Sequence, residues 1–341
     1  MTSAFKEFCS FVHTKSGLVI DEEKKYLVES KMRPILSEYG LADLNALVLE
    51  LRRGTNTKLV DAVIQTMTIN ETFFFRDRQP FDKFKDIIVP ELIKKRRPGQ
   101  PLRIWSAACS TGQEPYSLLI LLEQLRPLIG NRKCEIVATD LSDSVLEKAK
   151  EGKYSQFEVQ RGLSTPLLLK YFKQIGDRWQ VKPEYRSQIN FRQFNLLNPM
   201  TGLGRFDVVF CRNVLIYFDA KTKGEILKKI RGVMNDDGVL LLGASETVVG
   251  ISTEFAPDPQ HKLLLRCGAK GQAKTLGARK QDAAPPLRSD VADTMVKQLH
   301  KPRPTMPSTP RPAAAAASAV RPKTTTLPSR GLASIRAKAV T

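Results

Sequence analysis

The sequence predicts an α/β domain with a mostly parallel sheet, preceded by a small all-helical domain. Apolar runs of strand length alternate with apolar segments of helical length over residues 101–267, and this alternation is typical of parallel strands joined by right-handed crossovers. Residues 1–76 instead carry apolar positions at helical spacing and contain no clear strand. The first predicted strand runs into small residues and then a helix, which is how open sheets of this class form a nucleotide-sized crevice.

The helical domain is predicted to contain a helix over residues 21–39 that is rich in basic side chains. Pro34 lies inside this pattern and is expected to bend the helix or to shift its ends. The basic residues admit two interpretations, the solvated face of a surface helix or a docking surface for an acidic partner. They are Lys24, Lys25, Lys31 and Arg33.

Residues 77–100 are predicted to form a linker helix that ends in a solvated basic run at residues 94–97. Three consecutive phenylalanines, at residues 73–75, stand before it beside Arg76. By residue type alone, such a run is more typical of a core than of a functional site. Beyond the linker, strands are predicted at residues 102–107, 134–139, 189–194, 206–211 and 238–243, with a hairpin partner at 262–266.

The segment at residues 152–186 is longer than a single crossover needs. Residues 178–182 alternate in character, as the strands of an exposed antiparallel sheet do. We therefore predict a small antiparallel β-subdomain inserted into the α/β domain.

The turn after the first predicted strand is the candidate ligand loop. Its small side chains let a ligand approach the backbone, and the N–H groups at the start of the next helix are unpaired donors. Gly112 is its one glycine, so neither the dinucleotide fingerprint nor the phosphate-binding loop is matched. An ordinary β–α turn is the alternative interpretation.

The second predicted strand ends on Asp140. An acidic residue at this position is placed to accept hydrogen bonds from ribose hydroxyls. The alternative is that Asp140 or Ser142 caps the following helix. Both interpretations can hold together, because a cap at a strand end already faces the crevice.

Composition excludes several protein classes. The 341 residues are enough for two or three domains. The apolar runs are far too short to span a bilayer, and the N-terminus has no signal-peptide core, so we expect a cytosolic protein. Five scattered cysteines without a CxxC motif, and three histidines far apart, argue against a disulfide framework and a metal site.

The net charge of +19 is unevenly distributed along the chain. Residues 268–341 contain 14 Lys and Arg but 3 Asp and Glu, a net charge of +11, which leaves +8 for residues 1–267. A basic body suits nucleic acid, a membrane surface or an acidic protein. Nine prolines and an alanine run predict that residues 268–341 are a disordered basic tail, either a solubilising extension or a tether to an acidic surface.

Three motifs resemble those of the CheR-type chemoreceptor methyltransferases. They read TINETFFFRD at residues 68–77, WSAACSTGQEPYS at 105–117 and FCRNVLIYF at 210–218, and they lie in the family's order. The resemblance covers residues from about 5 to 267. It implies an S-adenosylmethionine-dependent, Rossmann-like methyltransferase domain with a small antiparallel β-subdomain, preceded by an all-α, receptor-docking N-terminal domain.

The activity that this resemblance implies belongs to chemotaxis adaptation. The methyl group of S-adenosylmethionine is transferred to glutamate carboxylates on the cytoplasmic methylation helices of chemoreceptors, giving glutamyl methyl esters and S-adenosylhomocysteine. The enzyme is expected in the cytoplasm, recruited to membrane receptor arrays. A glutamate carboxylate, with a reference pKa of about 4.3, is already ionised at neutral pH, so the reaction needs alignment rather than a strong general base.

The resemblance also assigns roles to individual residues. Arg76 is expected near the transferred methyl group, and Tyr217 is expected to position the acceptor. Basic residues of the helix over 21–39 are expected to meet the acidic helical bundle of the receptor. The residues implied to bind the cofactor are Asn70, Thr72, Arg76, Glu114, Asp140, Asn195, Leu196, Arg212 and Asn213. No metal is implied.

The sequence departs from some family members at the β-subdomain. Those members bind a peptide at the receptor C-terminus through a longer, glycine-containing loop, whereas this chain has only QIGDR at residues 174–178. We therefore expect no such pentapeptide tethering, and we expect a monomer.

Two other functions compete with this assignment. A nucleic-acid methyltransferase fits the basic charge, but CRNV at residues 211–214 does not match the Asn/Asp-Pro-Pro-Tyr/Phe motif of enzymes that methylate base amino groups. A catalytically inactive scaffold is the second alternative. The presence of Arg76, Glu114, Asp140 and Tyr217 argues against such decay.

Overall fold

The computed structural model describes residues 3–268, so the tail predicted from 268 on lies outside the described residues except for Gly268. Four helices form the N-terminal domain: α1 (Ser3–Ser16), α2 (Lys25–Glu38), α3 (Leu44–Arg53) and α4 (Thr57–Met67). A 3₁₀ turn, Glu22–Lys24, precedes α2, and α2 continues through the exposed Pro34. The helix predicted over 21–39 is therefore α-helical only from Lys25 on.

Local sequence explains how these helices start and pack. The side chains of Asp43 and Asn56 accept backbone N–H groups at the first turns of α3 and α4, which satisfies donors that a helix leaves unpaired. Phe8 of α1, Met32 of α2 and Val63 of α4 are fully buried in one shared core. The apolar residues at helical spacing thus form the interior of this domain.

The linker is helical from Gln79 to Lys95. It consists of α5 (Gln79–Lys83), a π-helical turn (Phe84–Ile88) and α6 (Val89–Lys95). The end of the linker differs from the prediction of a solvated basic run, because the Arg96 side chain is nearly buried and pairs with Asp207 at 2.6 Å and with Asp237. Arg96 therefore attaches the linker to the sheet.

The large sheet has the order β6-β2-β1-β7-β8-β10-β9. Strands β6, β2, β1, β7 and β8 are parallel, and β10 and β9 extend the sheet in antiparallel pairing. The strands are β1 (Leu102–Ala107), β2 (Cys134–Asp140), β6 (Ile189–Gln193), β7 (Phe206–Cys211), β8 (Met234–Leu242), β9 (Phe255–Pro257) and β10 (Leu265–Cys267). The prediction of a mostly parallel α/β sheet is confirmed.

The hairpin partner predicted at residues 262–266 was placed too early. The carboxylate of Asp258 accepts the N–H groups of Gln260 and His261, which makes a turn of these residues. A further turn bond joins the N–H of Leu264 to the carbonyl of His261. The strand consequently begins only at Leu265.

Helices cover both faces of the sheet. They are α7 (Gln113–Gln124), α8 (Arg126–Ile129), α9 (Asp143–Glu151) and α13 (Ala220–Gly232). Strand side chains alternate between the faces, so Ile104 packs in the core that contains α7 while Trp105 packs in the core that contains α13. Burial on both faces explains why these strands read as continuous apolar runs.

The insertion predicted at residues 152–186 is a second, three-stranded antiparallel sheet with the order β3-β5-β4. Its elements are β3 (Lys153–Ser155), α10 (Gln156–Gln160), α11 (Thr165–Tyr171), β4 (Phe172–Ile175), β5 (Arg178–Val181) and α12 (Pro183–Arg186). Strands β4 and β5 are joined by the two residues Gly176 and Asp177. The predicted β-subdomain is thus present.

No helix within residues 3–268 has both the length and the apolar character needed to cross a membrane.

Candidate active site

A cleft opens where β1, β2 and β7 end, and the segment at residues 68–76 and the N-terminal domain close its sides. The space between its walls is about 930 Å³ when the open mouth is included. Every residue predicted to contact the cofactor or the acceptor lines it: Asn70, Thr72, Arg76, Glu114, Asp140, Asn195, Leu196, Arg212, Asn213 and Tyr217. The structure therefore brings together residues that are far apart in the chain.

The loop after β1 has an unusual backbone. Ala108 and Ser110 adopt positive φ values of 57° and 50°, a region that non-glycine residues rarely occupy, and Gly112 at the start of α7 has φ 94°. Such strained residues are concentrated at functional sites. The Ser110 hydroxyl donates to the carbonyl of Asn70 at 2.9 Å, which joins this loop to the segment before the linker.

Asp140 is held in place by backbone donors. Its two carboxylate oxygens accept the N–H of Ser110 at 2.8 Å and the N–H of Ser142 at 3.0 Å. Burial raises the pKa of Asp140, and these N–H bonds oppose the rise. The bond to Ser142 is a local turn contact and not the helix cap considered above, because Ser142 is the N-cap residue of α9 and its own side chain makes no capping bond.

Arg212 is buried and forms the centre of an ion-pair network beneath the cleft. It donates to Glu114 at 2.9 Å, to Asp77 at 2.7 Å and to the carbonyl of Arg76 at 2.9 Å. Glu114 also accepts the hydroxyl of Ser106 at 2.8 Å. The polar contacts of Arg212 therefore connect the linker, α7 and β7.

Arg76 lies on a constrained loop. Its guanidinium donates to the carbonyl of Glu71 at 2.6 Å, and the neighbouring residues Phe75 and Asp77 have positive φ values of 52° and 65°.

The three phenylalanines at residues 73–75 differ in their burial. Phe74 is fully buried against Tyr154 and other rings of the core, whereas the other two phenylalanines are partly exposed.

Glu246 is a site residue that sequence reasoning missed. Its carboxylate accepts the backbone N–H groups of Asn213, Val214, Ile216 and Gly243 at 2.8, 2.9, 3.3 and 2.6 Å. It thereby fixes the loop that follows β7, in which Asn213 has a φ of 58°. No local pattern around Glu246 identifies this role, since three of its four partners are about 30 residues away in the chain.

Tyr217 stands at the cleft with a half-buried side chain. Burial raises the pKa of Tyr217. The nearby carboxylates of Glu71 and Glu246 add to the rise, and Arg76 opposes it. The phenol is therefore protonated at neutral pH and is a hydrogen-bond donor.

The N-terminal domain supplies part of the cleft, which the sequence did not reveal. Ser16 and Leu18 line it, and the N–H of Val19 donates to the carbonyl of Tyr217 at 2.9 Å. The side-chain amide of Asn195 donates to the carbonyl of Lys15 at 2.7 Å. The end of α1 is thus bound to both strand-end loops.

The four basic residues predicted to dock the receptor do not form one uniform surface. The ammonium of Lys31 donates to the carbonyl of Thr66 at 2.9 Å, and burial lowers the pKa of Lys31. Lys24 and Lys25 instead make surface ion pairs with Asp21 and Glu29, at 3.1 and 3.7 Å, and Arg33 is exposed. None of the four lines the cleft.

Comparison with known families assigns this fold and cleft to the S-adenosylmethionine-dependent methyltransferases. Residues 70–262 match the family model described as "CheR methyltransferase, SAM binding domain". Residues 3–68 match the one described as "CheR methyltransferase, all-alpha domain". The chain belongs to the CheR methyltransferase family, and the predictions of family, fold, cofactor and enzyme class are confirmed.

Curated relatives cover the same region. "Chemotaxis protein methyltransferase Cher2" of Pseudomonas putida is 42% identical over 267 residues, which are 77% of this chain and 94% of the relative. "Chemotaxis protein methyltransferase 1" of Pseudomonas aeruginosa is 44% identical over 269 residues, with the same coverages of 77% and 94%. A "Chemotaxis protein methyltransferase" of Borreliella burgdorferi is 35% identical over 244 residues, with coverages of 70% and 86%.

The side chains of the cleft fit S-adenosylmethionine. Its ribose hydroxyls suit the carboxylate of Asp140, and its adenine suits the apolar side chain of Leu196. The positively charged sulfonium and amino groups suit a cleft lined by the carboxylates of Glu114 and Asp140. Within residues 3–268, no cluster of His, Cys, Asp or Glu could hold a metal ion.

Proposed function

We propose that this protein transfers the methyl group of S-adenosylmethionine to glutamate side chains of chemoreceptors and forms glutamyl methyl esters. The observation that carries the proposal is that Arg76 and Tyr217 line the same cleft as the residues suited to the cofactor. A guanidinium and a protonated phenol can hold a carboxylate at the mouth of such a cleft. The names of the relatives, all chemotaxis protein methyltransferases, support the same substrate class.

Binding of the cofactor is divided among direct contacts and supporting residues. Asp140 accepts the ribose hydroxyls, and Leu196 contacts the adenine, whereas Asn70, Thr72, Glu114 and Asn213 contact the remaining parts. Asn195 and the two terminal nitrogens of Arg212 act as wall groups, because they are already bound to the protein. S-adenosylmethionine supplies an electrophilic methyl group on its sulfonium.

The catalytic task of the chain is alignment. A glutamate acceptor is ionised at neutral pH, and the residues that line this cleft, all of them within the described part of the chain, include no histidine. Arg76 and Tyr217 orient the carboxylate toward the methyl group, and the buried walls exclude water from it. Orientation of this kind contributes on the order of 7–11 kcal/mol in favourable cases.

Receptor recognition involves the exposed basic residues of the N-terminal domain. Lys24, Lys25 and Arg33 lie at the surface, and the body of the chain is basic, so an acidic helical bundle is an electrostatically suitable partner. Lys31 contributes by anchoring α2 to the end of α4.

Four further features belong to this proposal. The short turn at Gly176 and Asp177 leaves no long loop for a tethered pentapeptide. The protein acts as a monomer on receptors rather than on nucleic acid. It works in the cytoplasm, and its substrates recruit it to membrane receptor arrays. Residues 1–76, 77–100 and 101–267 serve as docking domain, linker and catalytic domain.

The test is methyl transfer from radiolabelled S-adenosylmethionine to a chemoreceptor cytoplasmic fragment, followed by mild alkali. Glutamyl methyl esters release volatile methanol under base, whereas methylated amides, amines and nucleobases do not. Alkali-labile label on the receptor supports the proposal. Label on added RNA, or cofactor binding without any transfer, would instead favour the nucleic-acid enzyme or the inactive scaffold.

A further inference from the structure

Arg161, directly after α10 in the β-subdomain, contacts the loop that carries Arg76. Its guanidinium donates to the side chain of Glu71 at 3.0 Å and lies 4.0 Å from the ring centre of Phe73. The Arg161 side chain is 44% exposed, so the ion pair itself contributes little to the free energy of unfolding. The contact therefore acts by holding Glu71 and Phe73 in position and not by stabilising the fold.

The same two residues contact Arg76 from within the loop. The backbone carbonyl of Glu71 accepts from Arg76 at 2.6 Å, and the Arg76 guanidinium lies 5.6 Å from the ring centre of Phe73. Glu71 thus binds Arg161 through its carboxylate and Arg76 through its carbonyl. A displacement of Glu71 or Phe73 changes the position of the Arg76 guanidinium directly.

The residue after Arg161 fixes the approach of the β-subdomain to this loop. Gly162 has a φ of 108°, and a Cβ atom at this position would lie 1.9 Å from the carbonyl oxygen of Phe74. Only glycine permits so close a contact. Because the Phe74 ring is buried against Tyr154 and Phe172, the base of the loop is rigid and its outer part depends on Arg161.

We propose that Arg161 is a positioning residue that sets the orientation of Arg76 for methyl transfer. This inference rests on the proposed function, in which Arg76 orients the acceptor carboxylate. The β-subdomain then contributes to catalysis through its contact with the Arg76 loop. Arg161 acts through Glu71 and Phe73 and touches neither substrate.

The first test is Arg161→Ala in the full-length protein. We expect kcat for receptor methylation to fall about tenfold, since a small displacement of an aligning group is costly, with the KM for S-adenosylmethionine and the Tm unchanged. Arg161→Lys, which keeps a cation near Glu71 and Phe73, should restore most of kcat. Arg178→Ala is the matched control, because Arg178 is exposed on β5 of the same subdomain.

The second test distinguishes positioning from direct contact. In an Arg76→Ala background, Arg161→Ala should cause no further loss of kcat, because the residue through which it acts is gone. Unchanged kcat in the single variant would overturn the inference, as would a multiplicative loss in the double variant. A raised KM for the receptor with normal kcat would assign Arg161 to docking instead.

Hydrogen exchange gives a readout that does not depend on turnover. In the protein without cofactor, Arg161→Ala should accelerate amide exchange over residues 70–77 and leave α7 unchanged. If the wild-type protein methylates no receptor, the proposed function fails, while faster exchange over 70–77 still supports the positioning contact. Equal exchange rates over residues 70–77 in the wild type and in Arg161→Ala would overturn the positioning contact.

Discussion

The carboxylate of Glu246 accepts the backbone N–H of Asn213 at 2.8 Å and so fixes a loop that the sheet alone does not define. Three more N–H groups bind the same carboxylate. Asn213 needs this support, because its φ of 58° lies in a region that a non-glycine residue occupies at some cost. The loop carries Tyr217, so Glu246 links backbone conformation to the proposed acceptor site.

Glu246→Ala should destabilise the fold and abolish most activity. It leaves buried N–H donors without an acceptor, which costs about 1–3 kcal/mol for an unpaired group. We expect a lower Tm and reduced methyl transfer, with Glu246→Gln intermediate because it keeps one acceptor oxygen. Glu225→Gln, on the exposed surface of α13, is the control. A Glu246→Ala protein with the wild-type Tm would contradict the capping role.

Asp140→Asn should weaken binding of S-adenosylhomocysteine about tenfold or more. The NH₂ group of the asparagine would face either the N–H of Ser110 or that of Ser142. One backbone N–H would then have no acceptor, and the ribose hydroxyls would also lose an acceptor oxygen. Calorimetric titration measures the effect. Asp143→Asn, at an exposed position in the first turn of α9, should bind normally. Equal affinities in all three proteins would exclude Asp140 from the nucleoside site.

Tyr217→Phe should lower kcat while the affinity for S-adenosylhomocysteine is retained, because the hydroxyl is assigned to the acceptor. Burial raises the pKa of Tyr217, so the wild-type phenol stays protonated as the pH rises through 9. Activity should accordingly show no decline between pH 7 and 9 attributable to this group. A Tyr217→Phe enzyme with normal turnover would remove the hydroxyl from the mechanism.

Asp219→Ala should lower the stability by about 1 kcal/mol at neutral pH, as expected for loss of an N-cap. The Thr222 N–H and His13 lower the pKa of Asp219, so the stabilisation is present above the unfolded pKa near 4 and is lost as the pH falls toward the lower folded value. The Tm difference between wild type and variant should therefore shrink below pH 4. A constant difference from pH 7 to pH 3 would show that the Asp219 charge is irrelevant.

Charge reversal on α2 should separate docking from anchoring. Lys25→Glu and Arg33→Glu are expected to raise the KM for the receptor, with the larger effect at low salt and no change in Tm. Lys31→Met should instead lower the Tm, because the Thr66 carbonyl loses its donor. Lys58→Glu, exposed at the start of α4, is the control. Identical KM values for the receptor in every variant would show that the receptor docks on a surface other than α2.

Much of the fold could be predicted because its signals are local. The run at 102–107 coincides with β1, since a strand buried on both faces is a continuous apolar segment. The site residues predicted from the three motifs also lie together in the cleft, because the carboxyl ends of parallel strands meet at one edge of the sheet. Their individual roles stay predictions.

What could not be predicted depends on contacts between distant segments. Glu246 and Arg161 belong to none of the three motifs, and only folding brings them to the loops that they hold. Arg96 was predicted to be part of a solvated run but is paired with the buried carboxylate of Asp207. Lys31 read as one of four equivalent docking cations, yet its half-buried position gives it a different partner.

The end of α1 and the segment after it provide Ser16 and Leu18 to the cleft, and the N–H of Val19 donates to the carbonyl of Tyr217. The proposed docking domain and the catalytic cleft are therefore not separable modules. A chimaera cut at residues 67–68 to exchange receptor specificity would also replace one wall of the reaction chamber. Grafts that retain residues 13–19 of the recipient and exchange only the outer face of α2 avoid that loss.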